Sequence, residues 1–194
     1  MNMSLVLFIT ALVSELIYLL LFALTIRGRG FRFWPPPSHR SWQFFVSWLL
    51  ASVVAVNFLF LGVLDFDSFW LPGFWVRLPV AMTLFIFASV IGIWVYAVFP
   101  LRATIGLGNR LITTGPYRYT RNPQYLCDSF SIVGYMLLTN SWMVWVIGAL
   151  GVLLNIMAPF TEEPWLEERF GEEYQKYKTR VPRFIHFGKM GKAV

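Results

Sequence analysis

The chain has 194 residues, of which 57% are hydrophobic, 19% aromatic and only 13% charged, with a net charge of +6. Such a composition excludes an ordinary water-soluble domain and describes an integral membrane protein. A single cysteine, Cys127, excludes an internal disulfide, and two histidines far apart in sequence, His39 and His186, give no support to a metal centre.

A bilayer-spanning helix needs about 20 apolar residues. The first run that meets this requirement is Leu5 to Ile26. No Lys or Arg precedes it and it is long for a signal-peptide core, so it is expected to stay as a span rather than be cleaved. Glu15 falls inside it, where a lipid-facing carboxylate is costly, so it is expected either to line the bundle interior near a substrate portal or to make a structural hydrogen bond. The loop that follows holds Arg27, Arg29, Arg32 and Arg40, and Pro35-Pro36-Pro37, a stiff connector that cannot continue a helix.

Phe44 to Leu64 and Leu78 to Phe99 supply the second and third spans. Between them Asp65 and Asp67 accompany Phe69, Trp70, Phe74 and Trp75, aromatic residues suited to a membrane interface. The next loop, Arg102 to Asn122, is rich in Gly and charge, with Arg110, Arg118 and Arg121 near its end. Its Gly106-Leu107-Gly108 is no nucleotide fingerprint, because no strand precedes it. Asn122-Pro123 reads as an N-cap followed by proline at the first helical position. Unpaired N–H groups and the positive dipole end make such a helix start an anion site, to which Arg118 and Arg121 add donors.

The last apolar region, Tyr125 to Phe160, is interrupted by Thr139-Asn140-Ser141, a polar trio suited to a turn between antiparallel helices. Five crossings follow, the last two forming a hairpin. Asp128 lies one turn into the fourth and could pair with Arg118 or Arg121. Thr161-Glu162-Glu163 should close the fifth helix, where a carboxylate could take an ammonium group or an ion pair with Arg118 or Arg121. Beyond it, Trp165, Leu166, Phe170, Tyr174 and Tyr177 recur at helical spacing and predict a separate amphipathic helix.

The basic residues are one-sided. Four follow the first span, Arg102, Arg110, Arg118 and Arg121 follow the third, seven lie beyond Thr161, and only Arg77 falls on the other side. Cytosolic loops collect such residues, so the N-terminus is expected outside and the C-terminus in the cytosol. The positive face suits anionic lipid headgroups rather than nucleic acid.

Gly115-Pro116-Tyr117, Arg121-Asn122-Pro123-Gln124-Tyr125, the apolar hairpin, Glu162-Glu163, Phe170-Gly171-Glu172-Glu173-Tyr174, Tyr177 and Arg180-Val181-Pro182 follow one another in a set order. That ordered set resembles the isoprenylcysteine carboxyl methyltransferase and phospholipid methyltransferase family of integral membrane enzymes, over the C-terminal half. Asn122 stands where the family usually has His, and Cys127 where it has a small Gly. The resemblance implies an all-α membrane protein with three N-terminal spans over 1–100 and a catalytic region over 101–194. It also implies S-adenosylmethionine as methyl donor, leaving as S-adenosylhomocysteine, bound by Asn109, Arg110, Leu111 and Ile112, by Tyr117, by Asn122, Pro123, Gln124 and Tyr125, and by Glu163. Glu163 would hold the cofactor's ammonium, and the helix start its carboxylate. The implied acceptor is a lipid-tailed molecule, an isoprenylcysteine-like carboxylate before a phospholipid amine. For a carboxylate no base is needed and no residue is assigned to catalysis; for an amine, Glu162 is the nearest base. The region of Asp128 is also similar to NADPH-dependent membrane sterol reductases. A lipid-binding protein without enzymatic activity is a further alternative.

Overall fold

The computed structural model describes residues 2–28, 30–71, 73–98 and 110–184. Five α-helices and one short 3-10 turn make up its regular structure, and no strand occurs among the described residues. The helices are α1 (Met3–Ile26), α2 (Trp42–Leu64), α3 (Phe74–Val98), α4 (Pro123–Thr139) and α5 (Trp142–Arg180). Three starts are capped by a side chain that accepts a hydrogen bond from a backbone N–H of the first turn: Asn2 from Ser4, Ser41 from Phe44, and Ser141 from Val144. Four helices, α1, α2, α3 and α5, are long and apolar enough to cross a membrane. α4, at 17 residues, is shorter than the roughly 20 of a full perpendicular crossing.

α1 packs on α2, α3 on α4, and α5 against α1 and α4. The core between α1, α2, α4 and α5 is built from Phe8, Ala11, Leu61, Met136, Val144 and Ile147. In hydrocarbon, apolar burial gives helices little reason to associate, so close approach and interhelical hydrogen bonds matter more. Asn57 of α2 accordingly donates from Nδ2 to Thr10 Oγ1 and to the Leu7 carbonyl of α1, at 2.7 and 3.2 Å. Gly134 brings α4 so near α3 that a Cβ there would stand 3.3 Å from the Ala81 carbonyl oxygen.

One end of the bundle is stapled by the loop after α2. Asn140 turns the chain in the left-handed conformation (φ 49°) and donates from Nδ2 to Asp67 Oδ1 at 2.8 Å, while Ser141 donates to Asp65 Oδ2 at 2.5 Å. Arg77, the lone basic residue expected on this side, is buried and forms an ion pair with Asp67 at 2.6 Å. Trp70 and Trp75 are 78% and 81% exposed here, as interfacial aromatics should be.

The opposite end differs from expectation. The fifth helix does not close at Glu163: it runs through Pro159 and Pro164 to a kink at Gly171, so that the separate helix after it is only the short stretch ending at Arg180. Proline removes one intrahelical hydrogen bond and normally breaks a helix. Here the flanking turns remain packed, with Ala158, Pro159, Thr161 and Glu163 all buried, so the helix continues past both rings. The interruption comes instead at Gly171, whose φ of 51° and ψ of −125° are open to glycine and strained for other residues. That bend carries Tyr174 and Tyr177 back toward the helix bundle, where both are buried.

Candidate functional site

A cavity of about 320 Å³ occupies this second end, the size of a small-molecule site. Every element contributes except α3. Tyr18 of α1, Trp34 and Pro35 of the first loop, and Ser47, Trp48 and Ala51 of α2 form one wall. Arg110, Leu111, Ile112, Tyr117, Arg121 and Asn122 come from the segment before α4, Gln124, Tyr125 and Asp128 from α4, and Glu162, Glu163, Trp165, Leu166, Phe170, Tyr174 and Tyr177 from α5.

Eight of the ten residues that the resemblance implies for the cofactor thus line one cavity: Arg110, Leu111, Ile112, Tyr117, Asn122, Gln124, Tyr125 and Glu163. Pro123 opens α4 as expected but is buried behind the lining, and Asn109 lies outside the described residues. Asn122 occupies the N-cap position without capping: its side chain makes no hydrogen bond to the first turn. Its Nδ2 donates instead to the Arg183 carbonyl at 2.9 Å. Arg118 is exposed and does not line the cavity.

The dominant charged group is a triad centred on the buried Glu163. Glu163 Oε1 is 3.0 Å from Arg121 Nη1, while Arg183 donates from Nε to Oε1 and from Nη2 to Oε2, both at 2.7 Å. The Glu163 carboxylate holds the Arg183 guanidinium strongly enough to raise its pKa above the ordinary arginine value. Of the openings left by the sequence, the ion pair with Arg121 is the one formed, whereas Asp128 pairs with neither Arg118 nor Arg121 and lies beside Cys127 Sγ at 3.9 Å. Arg183 was not singled out in the sequence because nothing local separates it from the other basic residues after Thr161.

Arg183 belongs to a strap that closes over the turn before α4. The Arg121 N–H donates to the Pro182 carbonyl at 2.9 Å, and Thr120 Oγ1 donates to the Arg183 carbonyl at 3.1 Å. The Arg183 guanidinium also stacks 3.9 Å from the centre of the Phe160 ring, a cation–π contact. Tyr177 donates its hydroxyl to the Tyr117 carbonyl at 2.7 Å, fixing the 3-10 turn Gly115–Arg118 against α5. Burial holds the Tyr117 hydroxyl well above its usual pKa.

Glu162 is held differently. Its Oε1 accepts from Tyr125 Oη at 2.5 Å and from Trp34 Nε1 at 2.6 Å, so that α5, α4 and the first loop meet at one carboxylate oxygen. Trp34, just ahead of the triple proline, is a site residue that the sequence reading missed; an indole beside a rigid turn in a basic loop was the available signal. Cationic donors remain to an occupant: Arg121 Nε is buried with no protein acceptor, and Arg110 lies exposed at the cavity wall. Aromatic walls, unspent cationic donors and a carboxylate at one edge can bind a zwitterionic molecule that carries a flat ring system.

Residues 76–173, half of the chain, match the phospholipid methyltransferase family. The chain is 32% identical over 68% of its length to the cobalt-zinc-cadmium resistance protein CzcN of Cupriavidus metallidurans, covering 60% of that protein. It is 30% identical over 71% of its length to the nickel-cobalt-cadmium resistance protein NccN of Alcaligenes xylosoxydans xylosoxydans, covering 62%. With the steroid 5-alpha-reductase DET2 of Solanum lycopersicum it shares 25% identity over 58% of its length and 44% of that enzyme. The chain therefore spans less than two thirds of each of these relatives, and no solved structure matches it. The matched segment runs from α3 through the cavity-lining turn and α4 to the bend in α5, and on that match the chain belongs to the phospholipid methyltransferase family.

Proposed function

We propose that the protein is an S-adenosylmethionine-dependent methyltransferase acting on a lipid-like acceptor at the cytosolic membrane surface, with the carboxylate of an isoprenylcysteine-like molecule as the preferred acceptor. One observation carries the reading: in a chain of this family, the segment 110–112, Tyr117, Asn122, Gln124, Tyr125 and Glu163 converge on a single cavity between membrane helices.

The cavity's donor set fits the cofactor. Arg110 and the unspent Nε of Arg121 suit its carboxylate. Tyr117, Tyr125 and Trp34 offer flat faces to the adenine and to a sulfonium. The ammonium would fall to Glu163, on the arm where Arg183 is 31% exposed and can yield, with Glu162 beside it. When bound, S-adenosylmethionine supplies a methyl group on a positive sulfur: the acceptor's lone pair forms the new bond to carbon, and the C–S pair returns to sulfur. The chain's own work is positioning and exclusion of water by the aromatic walls. A carboxylate acceptor is already ionised near neutral pH, so no residue has to remove a proton.

A second reading, NADPH-dependent reduction of a membrane substrate, is supported by the similarity to a steroid 5-alpha-reductase. Equilibrium binding to detergent-purified protein separates the two. Saturable binding of S-adenosylhomocysteine without binding of NADPH is expected; the reverse would make the protein a reductase, and binding of neither would leave a lipid-binding role.

A further inference from the structure

A second cavity, of about 400 Å³, lies deeper between the spanning helices and shares Tyr18, Trp34, Ala51, Tyr125 and Asp128 with the first. Small residues line it, Ala51 and Ala55 on α2 and Gly148 and Gly151 on α5, each pair one turn apart on its helix. Two carboxyl groups line this space, Asp128 in the wall shared with the first cavity and Glu15. Glu15, at mid-length of α1, is 1% exposed, and neither of its oxygens has a hydrogen-bond partner. Its Oε1 lies so near α5 that a Cβ on Gly151 would be 3.2 Å away.

An unpartnered polar group in hydrocarbon is destabilising, and a bundle that merely needed to pack would do better with leucine. No Lys, Arg or His is among the residues described around this cavity. The missing partner is therefore one that an occupant brings. A neutral hydroxyl or carbonyl satisfies a carboxyl there at less cost than a cation, which would have to be stripped of water first. Glu15 stands one helical turn from Tyr18, in the wall common to both cavities, so an occupant bonded to Glu15 reaches that wall within about 5 Å.

We propose that this cavity receives the body of the methyl acceptor, and that Glu15 holds a neutral hydroxyl or carbonyl group on it and so selects which membrane molecules are methylated. The assignment rests on the methyltransferase reading for the word acceptor; the binding site itself does not. Glu15 is a specificity residue, remote from the transferred methyl group.

Photolabelling in vesicles with diazirine-bearing dodecanol, dodecane and dodecylamine tests it, with labelled residues mapped by mass spectrometry and S-adenosylhomocysteine binding measured in parallel. Dodecanol should label residues around this cavity about fivefold more than dodecane, the effect of one net hydrogen bond. Glu15→Leu should bring dodecanol down to the dodecane level, whereas Glu15→Gln, which keeps hydrogen-bonding capacity, should retain most of the preference. Ala55→Phe fills the cavity and should abolish labelling there while cofactor binding persists. Equal labelling by dodecanol and dodecane, stronger labelling by dodecylamine, or dodecanol labelling indifferent to Glu15→Leu or to Ala55→Phe overturns the proposal. A wild-type protein that shows the dodecanol preference but binds no S-adenosylhomocysteine would support the Glu15 site and defeat the methyltransferase reading alone.

Discussion

Glu163→Gln is the most informative perturbation, because one carboxylate holds two guanidinium groups. The side chains of Glu163 and Arg121 are 7% and 8% exposed, and that of Arg183 is 31% exposed. An amide has one acceptor oxygen, and its own donors face donors, so two positive charges are left close together and poorly compensated. Removing one partner of a buried ion pair costs about 3–5 kcal/mol, and solvent at Arg183 argues for the lower end, about 3 kcal/mol. Arg183→Met removes only the solvated arm and leaves the Arg121 pair intact, which should cost about 1 kcal/mol. The double variant should be less destabilised than the sum, since losing Arg183 relieves the repulsion created at position 163. Denaturant unfolding in detergent, with proteolysis around Pro182 as a reporter of the strap, measures all three. Additive effects, or a Glu163→Gln protein as stable as the parent, would refute the triad as a structural unit. If Glu163 also receives the cofactor's ammonium, S-adenosylhomocysteine affinity falls about tenfold or more in the folded variant; unchanged affinity passes that role to Glu162.

Topology follows from the charge asymmetry: cysteines placed at Ser38 and Thr113 should be labelled by impermeant maleimide only from the cytosol, and one at Ser68 only from outside; labelling of Ser68 and Thr113 from one side contradicts five crossings. Gly62→Ala would put a Cβ 2.2 Å from Tyr135 Oη and 2.6 Å from Thr139 Cγ2, so it should destabilise the α2–α4 contact by about 1–3 kcal/mol in an unfolding assay, with partial recovery in Tyr135→Phe. With an active acceptor, chemistry-limited turnover should be nearly flat between about pH 6 and 8, because a carboxyl of pKa about 4 is ionised throughout. A rise of about tenfold per pH unit, abolished by Glu162→Gln with cofactor binding intact, would identify an amine acceptor and a Glu162 base.

Hydrophobic run length alone located α1, α2 and α3 to within a few residues, because a spanning helix must satisfy its own backbone and advertises itself by composition. The α4–α5 turn was equally legible: Asn140 tolerates a left-handed conformation and Ser141 caps the next helix, both local properties. Asn122 shows the limit of such rules. Its position at the helix start was readable, but its side chain serves the Arg183 carbonyl 61 residues away. The end expected at Thr161-Glu162-Glu163 was likewise overridden by packing, and the bend falls at Gly171. Only tertiary structure could choose Arg183 from the basic residues of the C-terminal segment, since its carboxylate partner reaches it through that bend. Glu15 was visible as a carboxyl in an apolar helix, but the space beside it exists only where residues of α1, α2, α4 and α5 come together around a cavity. A cavity is made by what distant segments leave unfilled, and no local pattern in a chain records that.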